Sequence, residues 1–460
     1  MKRRKFILNT SAVSLGFLGL SRCASDKNLR SEMFRYGKLQ QDTKGYLDLP
    51  QGFSYKIISK TGDKMNDGFF TPGAPDGMAT FASPSGKVIL VRNHELSPGV
   101  ENGPFGSKQE LLSNIDKSGM YDHGYGKTPS AGGTTTIVYN ESTQQVELEY
   151  LSLAGTVRNC AGGPTPWGSW LSCEENVAPI TEKTEVEHGY NFEVMASETM
   201  MRADPLPLKA MGRFNHEAVC VDPKTGIVYQ TEDRGDSLIY RFIPETRSKL
   251  ADGGRLQVLC FLDQQKMDTR NWSGRNVQMG STYDVEWLDI DNVESPEDDL
   301  RERGYAMGAA RFARGEGMWF GNNELYFACT NGGPDELGQV FKYVPSEYEG
   351  TTQEKNMPGK LYLFAESDNK NILKNCDNLT VSPWGDIILC EDHNDAFIRG
   401  ITPGGQIYTF GHNVGSQSEF AGATFSPSGN TLFVNIQGNG HTLAITGPWN
   451  NRQDLSSHAG

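Results

Sequence analysis

Residues Arg158–Asn176 read RNCAGGPTPWGSWLSCEEN, and the second half of this stretch is the strongest indication of the fold class. The stretch begins with a lone thiol at Cys160, passes through a Gly/Pro-rich turn, and ends in a β-type run followed by Glu174 and Glu175. A soft thiolate beside hard carboxylates suits a mixed metal site, with a transition metal near an oxygen-preferring ion such as calcium. The stretch alone fits equally well a buried cysteine beside an acidic strand end at the surface.

The second half of the stretch recurs along the chain. In each copy a turn glycine precedes an apolar run that ends in metal-capable side chains: Gly86 leads to Asn93-His94-Glu95, Gly168 to Glu174-Glu175-Asn176, Gly226 to Glu232-Asp233-Arg234, and Gly385 to Glu391-Asp392-His393. Counting seven residues from each glycine aligns Asn93, Glu175, Asp233 and Asp392. Looser copies follow Gly321 and Gly429, which makes six turn–strand units that become polar at the same end.

Strand units repeated at intervals of tens of residues are typical of a β-propeller or another radial array. We therefore expect an all-β fold, a β-propeller of six blades with long inserted loops and short helices, in which the strand at Gly132–Tyr139 starts a new blade. The polar ends would then meet as a ring at one mouth of the channel. Crowded carboxylates repel one another, so such a ring needs cations. The alternative is that each acidic end faces water at a loop.

The composition agrees with a turn-rich β fold and limits the partners. The chain has 52 glycines and a formal net charge of −14. An acidic surface argues against nucleic acid as a partner, because phosphate backbones bind basic patches. An acidic protein can still bind an anionic substrate where bound metals reverse the local charge.

The N-terminus predicts export. Lys2–Ile7 carries a twin-arginine pattern, and the apolar stretch Ala12–Leu20 is too short to span a membrane. We expect residues 1–28 to be a signal read by the twin-arginine export machinery, and 29–460 to form a single catalytic propeller domain, monomeric and periplasmic or at the cell surface. A lipid anchor on Cys23 is an open alternative, since Arg22 stands where lipoprotein signals have a small residue.

Several stretches together resemble the PhoX-type alkaline phosphatases, an exported family that depends on calcium and iron. The matching stretches run from Asp76 to Trp449 and include RNHE at 92–95, NCAGGPTPWGSWLSCEEN at 159–176, GRFNHEA at 212–218, TEDRGDSLIYRF at 231–242 and ARGEG at 313–317. Of these, the stretch at 159–176 is specific by itself.

The resemblance implies a β-propeller with a cluster of Fe3+ and Ca2+ ions at its channel mouth, and the hydrolysis of phosphomonoesters at alkaline pH. It implies that Cys160, Glu217 and Glu316 are metal ligands at the catalytic centre and that Arg314 binds the phosphoryl group. To these we add the repeat-end residues as metal ligands and one arginine as a second substrate contact: Glu95, Glu175, Asp233, Asp392 and Arg234. Arginine suits a phosphoryl group because its planar donors match phosphate oxygens.

Two departures and two rival functions complete the expectations. Gly315 stands where the family is expected to have a proline, and the chain is shorter than well-known members, so outer substrate contacts need not carry over. The same ring would serve a calcium-dependent phosphodiesterase, phosphotriesterase or lactonase. A non-catalytic propeller that binds a partner and uses calcium for stability is the alternative from another class.

Overall fold

The computed structural model describes residues 32–455, and the expected export signal with Cys23 lies outside these described residues. Its regular structure is mainly β. The strands are β1 Leu39–Gln40, β2 Leu47–Pro50, β3 Ser54–Lys60, β4 Pro75–Ala82, β5 Val88–His94, β6 Gly132–Asn140, β7 Gln145–Thr156, β8 Asn159–Pro164, β9 Ser169–Glu174, β10 Asn191–Met195, β11 His216–Val221, β12 Val228–Glu232, β13 Ile239–Pro244, β14 Gly254–Phe261, β15 Tyr283–Asp289, β16 Gly315–Gly321, β17 Glu324–Cys329, β18 Gln339–Val344, β19 Gly359–Glu366, β20 Cys376–Val381, β21 Ile387–Glu391, β22 Phe397–Ile401, β23 Ile407–Asn413, β24 Phe420–Phe425, β25 Thr431–Ile436 and β26 His441–Thr446.

Helical structure is short. The α-helix α1 spans Leu300–Met307, and single 3₁₀ turns lie at Leu112–Asn114, Lys117–Gly119, Gly124–Gly126, Lys209–Met211, Leu250–Asp252 and Glu354–Asn356. Within residues 32–455, no helix combines the length and the apolar character that a membrane span requires.

Within the described part of the chain, the strands form antiparallel meanders in five hydrogen-bonded sheets. Four of the sheets have the strand orders β4-β5-β6-β7, β8-β9-β10, β20-β21-β22-β23 extended by β2 and β1, and β24-β25-β26-β3. The fifth has nine strands, because the meanders β11–β14 and β16–β19 are joined through β15. Gly132–Tyr139 does not start a new unit as expected: it lies in β6, which pairs with β5 in the first sheet.

The first strands of the meanders contact one another in a closed cycle. β4 contacts β8, β8 contacts β11, β11 contacts β16, β16 contacts β20, β20 contacts β24, and β24 returns to β4. This radial arrangement confirms the expected all-β, propeller-like fold. A count of six blades stays a prediction, because two of the meanders belong to one continuous sheet.

Burial explains why the strand sequences read as nearly continuous apolar runs. β11, β24 and β25 are buried along their whole length. Packing between neighbouring sheets covers both faces of such strands, and aromatic pairs such as Phe327 and Phe341 stack 5.3 Å apart inside the nine-stranded sheet. Polar side chains therefore concentrate at strand ends, where the candidate site forms.

The last sheet closes the cycle with strands from both ends of the described chain. β3 pairs antiparallel with β26, with Ile57 opposite Leu443 and Tyr55 opposite Ile445. The hydrogen bonds of β3 thus cover the edge that β26 would otherwise expose.

Candidate metal centre

Each first strand carries a β-bulge near its start. Pro75 pairs with His94 and Met78 with Arg92, so three residue steps on β4 face two steps on β5. The same irregularity occurs at the start of β8, β11, β16 and β20, and one residue later in β24. A bulge leaves one residue out of the ladder and re-aims its side chain, which is why bulges are common next to functional sites.

The bulges bring five metal-capable side chains to one axis. The second residue of five first strands is acidic or a thiol, and we call this set the bulge ring: Asp76, Cys160, Glu217, Glu316 and Asp377. The sixth first strand has Ala421 at that position. The next residue of each strand lines a single cavity of about 20 Å³: Gly77, Ala161, Ala218, Gly317, Asn378 and Gly422. The residues of the bulge ring therefore surround the channel.

A second set of carboxylates follows the second strands of the meanders. These outer carboxylates each come directly after the strand end that pairs with a bulge: Glu95, Glu175, Asp233 and Asp392. Thr330 and Gln437 take this place in the remaining two units. The expected convergence of the repeat ends thus holds, but the alignment that put Asn93 among them is wrong. β5 is longer than β9 and β12, so Glu95 is the equivalent residue.

Asn93 has a different role: its side chain stabilises the β-bulge at Cys160 by hydrogen bonds. Its side-chain Nδ2 donates to the carbonyl oxygens of Cys160 at 3.3 Å and Ala161 at 2.5 Å. Asn435 does the same for Asp76, donating to its carbonyl at 2.6 Å, and the Thr231 hydroxyl donates to the Glu316 carbonyl at 2.7 Å. Each of these buried side chains satisfies backbone groups that the bulge leaves outside the sheet ladder.

Among residues 32–455, three overlapping clusters could each hold a metal ion. They are Cys160 with Glu175 and Glu217, Glu217 with Glu316 and Asp377, and Asp377 with Asp392 and Glu419. Within each cluster, one ligand atom per residue lies within 4.8 Å of the others. Glu217 and Asp377 each belong to two clusters, so the site is a continuous chain of donors. A thiolate at one end and only carboxylates at the other fit a transition metal beside calcium.

Burial and mutual repulsion raise the pKa values of these groups. Burial raises the pKa values of Glu217 and Glu316 well above the ordinary range, and repulsion from neighbouring carboxylates raises them further. The same causes raise the pKa of Glu175 to about 8 and that of Asp377 to about 7. Burial also raises the pKa of the Cys160 thiol. Bound cations would reverse this effect and favour the charged forms, so the donor set fits a cationic group.

Two arginines occupy equivalent positions at the rim. Arg158 precedes β8 and Arg314 precedes β16, and both have positive φ angles, of 48° and 50°. Arg158 contacts Glu95 and Glu175, each at 2.5 Å. Arg314 donates from Nε and Nη2 to the two oxygens of Asp233, at 2.8 and 3.1 Å, and from Nη2 to Glu316 at 2.7 Å. About a third of each arginine side chain is exposed, so both face the open side of the site.

The structure brings together eight of the nine residues that the sequence singled out. Cys160, Glu217 and Glu316 lie in the bulge ring, the four repeat-end residues are the outer carboxylates, and Arg314 joins the two sets. Arg234 differs, since its guanidinium contacts Asn215 at 3.0 Å and Asp298 at 3.4 Å. Its role as a substrate contact stays a prediction.

Sequence reasoning missed Asp377 and Glu419 as candidate ligands. For Asp76, the Pro/Gly-rich stretch 71–78 suited either a metal ligand or an Asx-turn residue, with the turn favoured. Asp76 lies in the bulge ring, where Oδ2 accepts a hydrogen bond from Gln437 while the buried Oδ1 has no hydrogen-bond partner among the described residues. Aligning the first strands would have found Asp76 and Asp377, because a small residue and then an apolar residue follow each, as at Glu217. Glu419 lies just before β24 and has no such signal.

The arrangement defines what the site can do. Buried carboxylates and one thiol can hold several cations close together, and two arginines at the rim can bind an anion over them. Metals held a few ångströms apart are typical of enzymes that hydrolyse phosphate esters.

A family model described as alkaline phosphatase PhoX matches residues 34–440, which is most of the chain. Comparison with curated protein sequences gives no match.

Solved structures of low sequence identity share the fold. The structure of PhoX from Pseudomonas fluorescens in complex with vanadate, a transition state analogue, is 16% identical, with 90% of this chain and 98% of that chain covered and a TM-score of 0.62. A gluconolactonase from Xanthomonas campestris is 12% identical, with coverage of 91% and 100% and a TM-score of 0.41. At 16% identity, the likeness to the PhoX structure shows a shared fold.

Proposed function

This chain belongs to the PhoX family of alkaline phosphatases and is a phosphatase that acts on phosphoesters, and we propose that it hydrolyses phosphomonoesters at a metal cluster held by the bulge ring and the outer carboxylates. The observation that carries the proposal is the chain of three overlapping donor clusters, with a thiol at one end. A purely structural role would not require a cysteine and six acidic residues to lie together at one channel mouth.

The donor types suggest which residues would hold which ion. Cys160, Glu217 and Glu316 would hold Fe3+, because a thiolate prefers a transition metal. The carboxylate-only cluster of Asp377, Asp392 and Glu419 would hold Ca2+, which prefers oxygen ligands. When bound, these ions supply positive charge that draws a phosphate dianion to an acidic channel and stabilises charge on the transferring group.

Arg314 would bind the substrate beside the metals. Its guanidinium lies over the junction of Asp233, Glu316 and Asp392, with the Nη1–Oδ2 distance to Asp392 at 4.0 Å. Once cations take the charges of these carboxylates, the planar donors of Arg314 become available to phosphoryl oxygens. Its backbone has a φ of 50°, in the left-handed region that residues other than glycine rarely adopt.

Cys160→Ala, Glu217→Ala and Glu316→Ala test this assignment. Each variant should lose at least about 100-fold in turnover of a phosphomonoester and contain less iron per chain, since each removes a residue that we assign to Fe3+. Elemental analysis and visible absorbance of the purified protein measure the metal, because a ferric thiolate is coloured. Full turnover and unchanged iron in Cys160→Ala would rule out the assignment.

A substrate panel separates the proposal from its rivals. A phosphomonoester, a phosphodiester and a lactone, compared at the same metal content, should show turnover of the monoester well above the other two. Preference for the diester or the lactone would reassign the reaction class. Calcium without iron, no colour and no hydrolysis would support the binding-protein alternative.

The proposal includes export to the periplasm or cell surface through residues 1–28. Its support is the twin-arginine pattern at Arg3 and Arg4, together with the short apolar stretch that follows. Fusion of these residues to a reporter that works only after export gives a direct test. Arg3→Lys with Arg4→Lys should keep the reporter inside the cell.

A further inference from the structure

The first strands approach one another most closely at glycines that follow the bulge ring. A methyl group placed on Gly77 would lie 2.5 Å from the Cα of Ala161 and 3.0 Å from the carbonyl oxygen of Cys160. A methyl group on Gly317 would lie 2.7 Å from the Cα of Asn378 and 2.7 Å from the carbonyl oxygen of Asp377. The distances of 2.5 and 2.7 Å are shorter than real Cβ contacts, the distance of 3.0 Å is tight, and all of the obstructing atoms are backbone atoms.

A third contact of this kind lies at the junction between the last and the first unit. A methyl group on Gly422 would lie 2.3 Å from the carbonyl oxygen of Asp76. In all three cases the glycine of one strand touches the backbone of a bulge-ring residue on the next strand. Each glycine therefore permits two neighbouring first strands to lie closer together than a residue with a side chain would allow.

We propose that Gly77 and Gly317 are positioning residues of the metal centre, which set the spacing between metal ligands by permitting backbone contact between first strands. Gly77 sets the distance of Cys160 from Asp76, and Gly317 sets the distance of Asp377 from Glu316. This inference rests on the proposed function, because it assigns the ligands that the glycines space. A metal site tolerates ligand displacements of only about 0.5 Å, so a side chain that separates two strands should weaken metal binding.

The backbone at these two glycines permits a clean substitution. Neither residue has a φ angle in the left-handed region, whereas Gly422 has a φ of 63°. Gly77→Ala and Gly317→Ala therefore add one methyl group without adding backbone strain. Gly422→Ala would combine both effects and is a poorer test.

Gly321 offers a matched control for Gly317, because both glycines lie on β16 and face β20. Gly321 lies at the far end of β16 from the ring, and a methyl group there would lie 2.9 to 3.2 Å from the side chain of Val381 on β20. Gly321→Ala thus crowds the same strand pair away from the metal ligands. Gly274→Ala, where the nearest atom would be 3.9 Å away, is the control for glycine replacement itself.

The experiment measures metal and stability together in the full chain. Iron and calcium per chain come from elemental analysis, Ca2+ affinity from competition with a chromophoric chelator, and folding from the thermal midpoint of the metal-free protein. Gly77→Ala and Gly317→Ala should bind Ca2+ or iron about 10- to 100-fold more weakly than wild type. Gly321→Ala should lower the thermal midpoint of the metal-free protein but keep wild-type metal affinity.

The two glycine variants should also differ from each other. Gly77 touches Cys160, so Gly77→Ala should reduce or shift the visible absorbance of a thiolate-bound iron. Gly317→Ala displaces Asp377 of the carboxylate-only cluster relative to Glu316, so it should reduce calcium as well as iron, while the absorbance per bound iron keeps its wild-type shape. Having two variants at separate junctions keeps the test decisive if one of them fails to fold.

Each outcome decides the matter. Wild-type metal affinity in both variants, or the same metal loss in Gly321→Ala, would overturn the positioning role while leaving the proposed function intact. Wild-type protein that binds neither iron nor calcium would overturn the proposed function, and the positioning role with it.

Discussion

Arg314 carries more of the site's polar contacts than any other side chain that sequence reasoning proposed for catalysis. It binds Asp233 through two nitrogens and Glu316 through one, so it already neutralises part of the carboxylate charge. We expect Arg314→Ala to lower kcat/KM for a phosphomonoester by about 100-fold or more, because an arginine that stabilises a transferring phosphoryl group contributes an effect of this size or larger. Steady-state kinetics and elemental analysis check the result.

Metal content decides how that loss is interpreted. An unchanged metal-to-protein ratio in Arg314→Ala would fit a residue that binds substrate, and Arg314→Lys should then recover only part of the rate, since a lysine has no planar fork of donors. Loss of metal together with activity would instead make Arg314 a structural partner of Asp233 and Glu316.

Individual site residues were predictable from the sequence where the residue type alone indicates a chemical role. A thiol in a polar, glycine-flanked stretch singled out Cys160, and acidic repeat ends singled out Glu175, Asp233 and Asp392. For Asp76 the sequence favoured a turn over a metal ligand, because a bulge inside β4 has no single-residue signature. Counting from the turn glycine gave Asn93 instead of Glu95, because strand length varies between units and no local pattern reveals that length.

At the scale of elements, β9 is fastened to two inserted loops through His188. The imidazole Nδ1 lies 2.7 Å from Glu174 and Nε2 lies 3.0 Å from Asp122, and all three side chains are fully buried. The nearby ring of Tyr121 packs edge-on against the imidazole. The two carboxylates raise the pKa of His188 to about 9 against the burial that would lower it.

This linkage predicts a pH dependence of stability. The folded pKa lies above the ordinary value of about 6.5, so the protonated contact stabilises fully below pH 6.5 and is lost as pH rises through 9. A tenfold change in proton affinity corresponds to about 1.4 kcal/mol, so the contribution is on the order of 3 kcal/mol. Unfolding free energies of wild type and His188→Gln, measured between about pH 6 and 10, should converge as pH rises. A constant difference across this range would show that the imidazole is not charged in the folded protein.

Individual strands were predictable from the sequence, but their pairing with other strands was not. The turn–strand pattern correctly gave the second strands β5, β9, β12 and β21, because a buried strand between turn residues is a local signal. The first strands were not recognised as the ligand-bearing set. Their ligand positions depend on bulges, which arise from pairing with another strand and not from the strand's own residues.

At the scale of the whole molecule, the crowded acidic groups make folding and metal binding interdependent. Carboxylates gathered in a buried channel raise one another's pKa, as at Glu217 and Glu316, and cations remove that repulsion. We expect chelation to lower the thermal midpoint, because a ligand that binds only the folded state at about 1,000 times its Kd adds about 4 kcal/mol of stability. Scanning calorimetry with and without chelator measures the difference.

A variant with fewer ring carboxylates separates repulsion from general weakening. Glu217→Gln with Glu316→Gln should reduce the gap between metal-loaded and metal-free protein, since it removes both the ligands and the charges that repel. An equal gap in wild type and the double variant would place the stabilising ions elsewhere on the molecule.

The global architecture was predictable because repetition along a chain limits the arrangements that bury every unit. The joining of two meanders through β15 was not, since β15 lies in an insertion with no counterpart in the other units. The pairing of β3 with β26 was likewise hidden, because residues 54–60 and 441–446 share no local sign of being neighbours.

That pairing has a consequence for how the polypeptide matures. During synthesis β3 emerges before β26 and pairs with it only after residues 441–446 have left the ribosome, so the last sheet stays open until then. Until then the sheet that contains β24, with Gly422 against Asp76, is incomplete. A nascent chain therefore presents the metal centre in an incomplete channel wall, and we expect metal loading to follow the pairing of β3 with β26. Chains that end before residue 441 would leave the edge of β3 unpaired, and incompletely folded products are the ones that quality-control proteases remove.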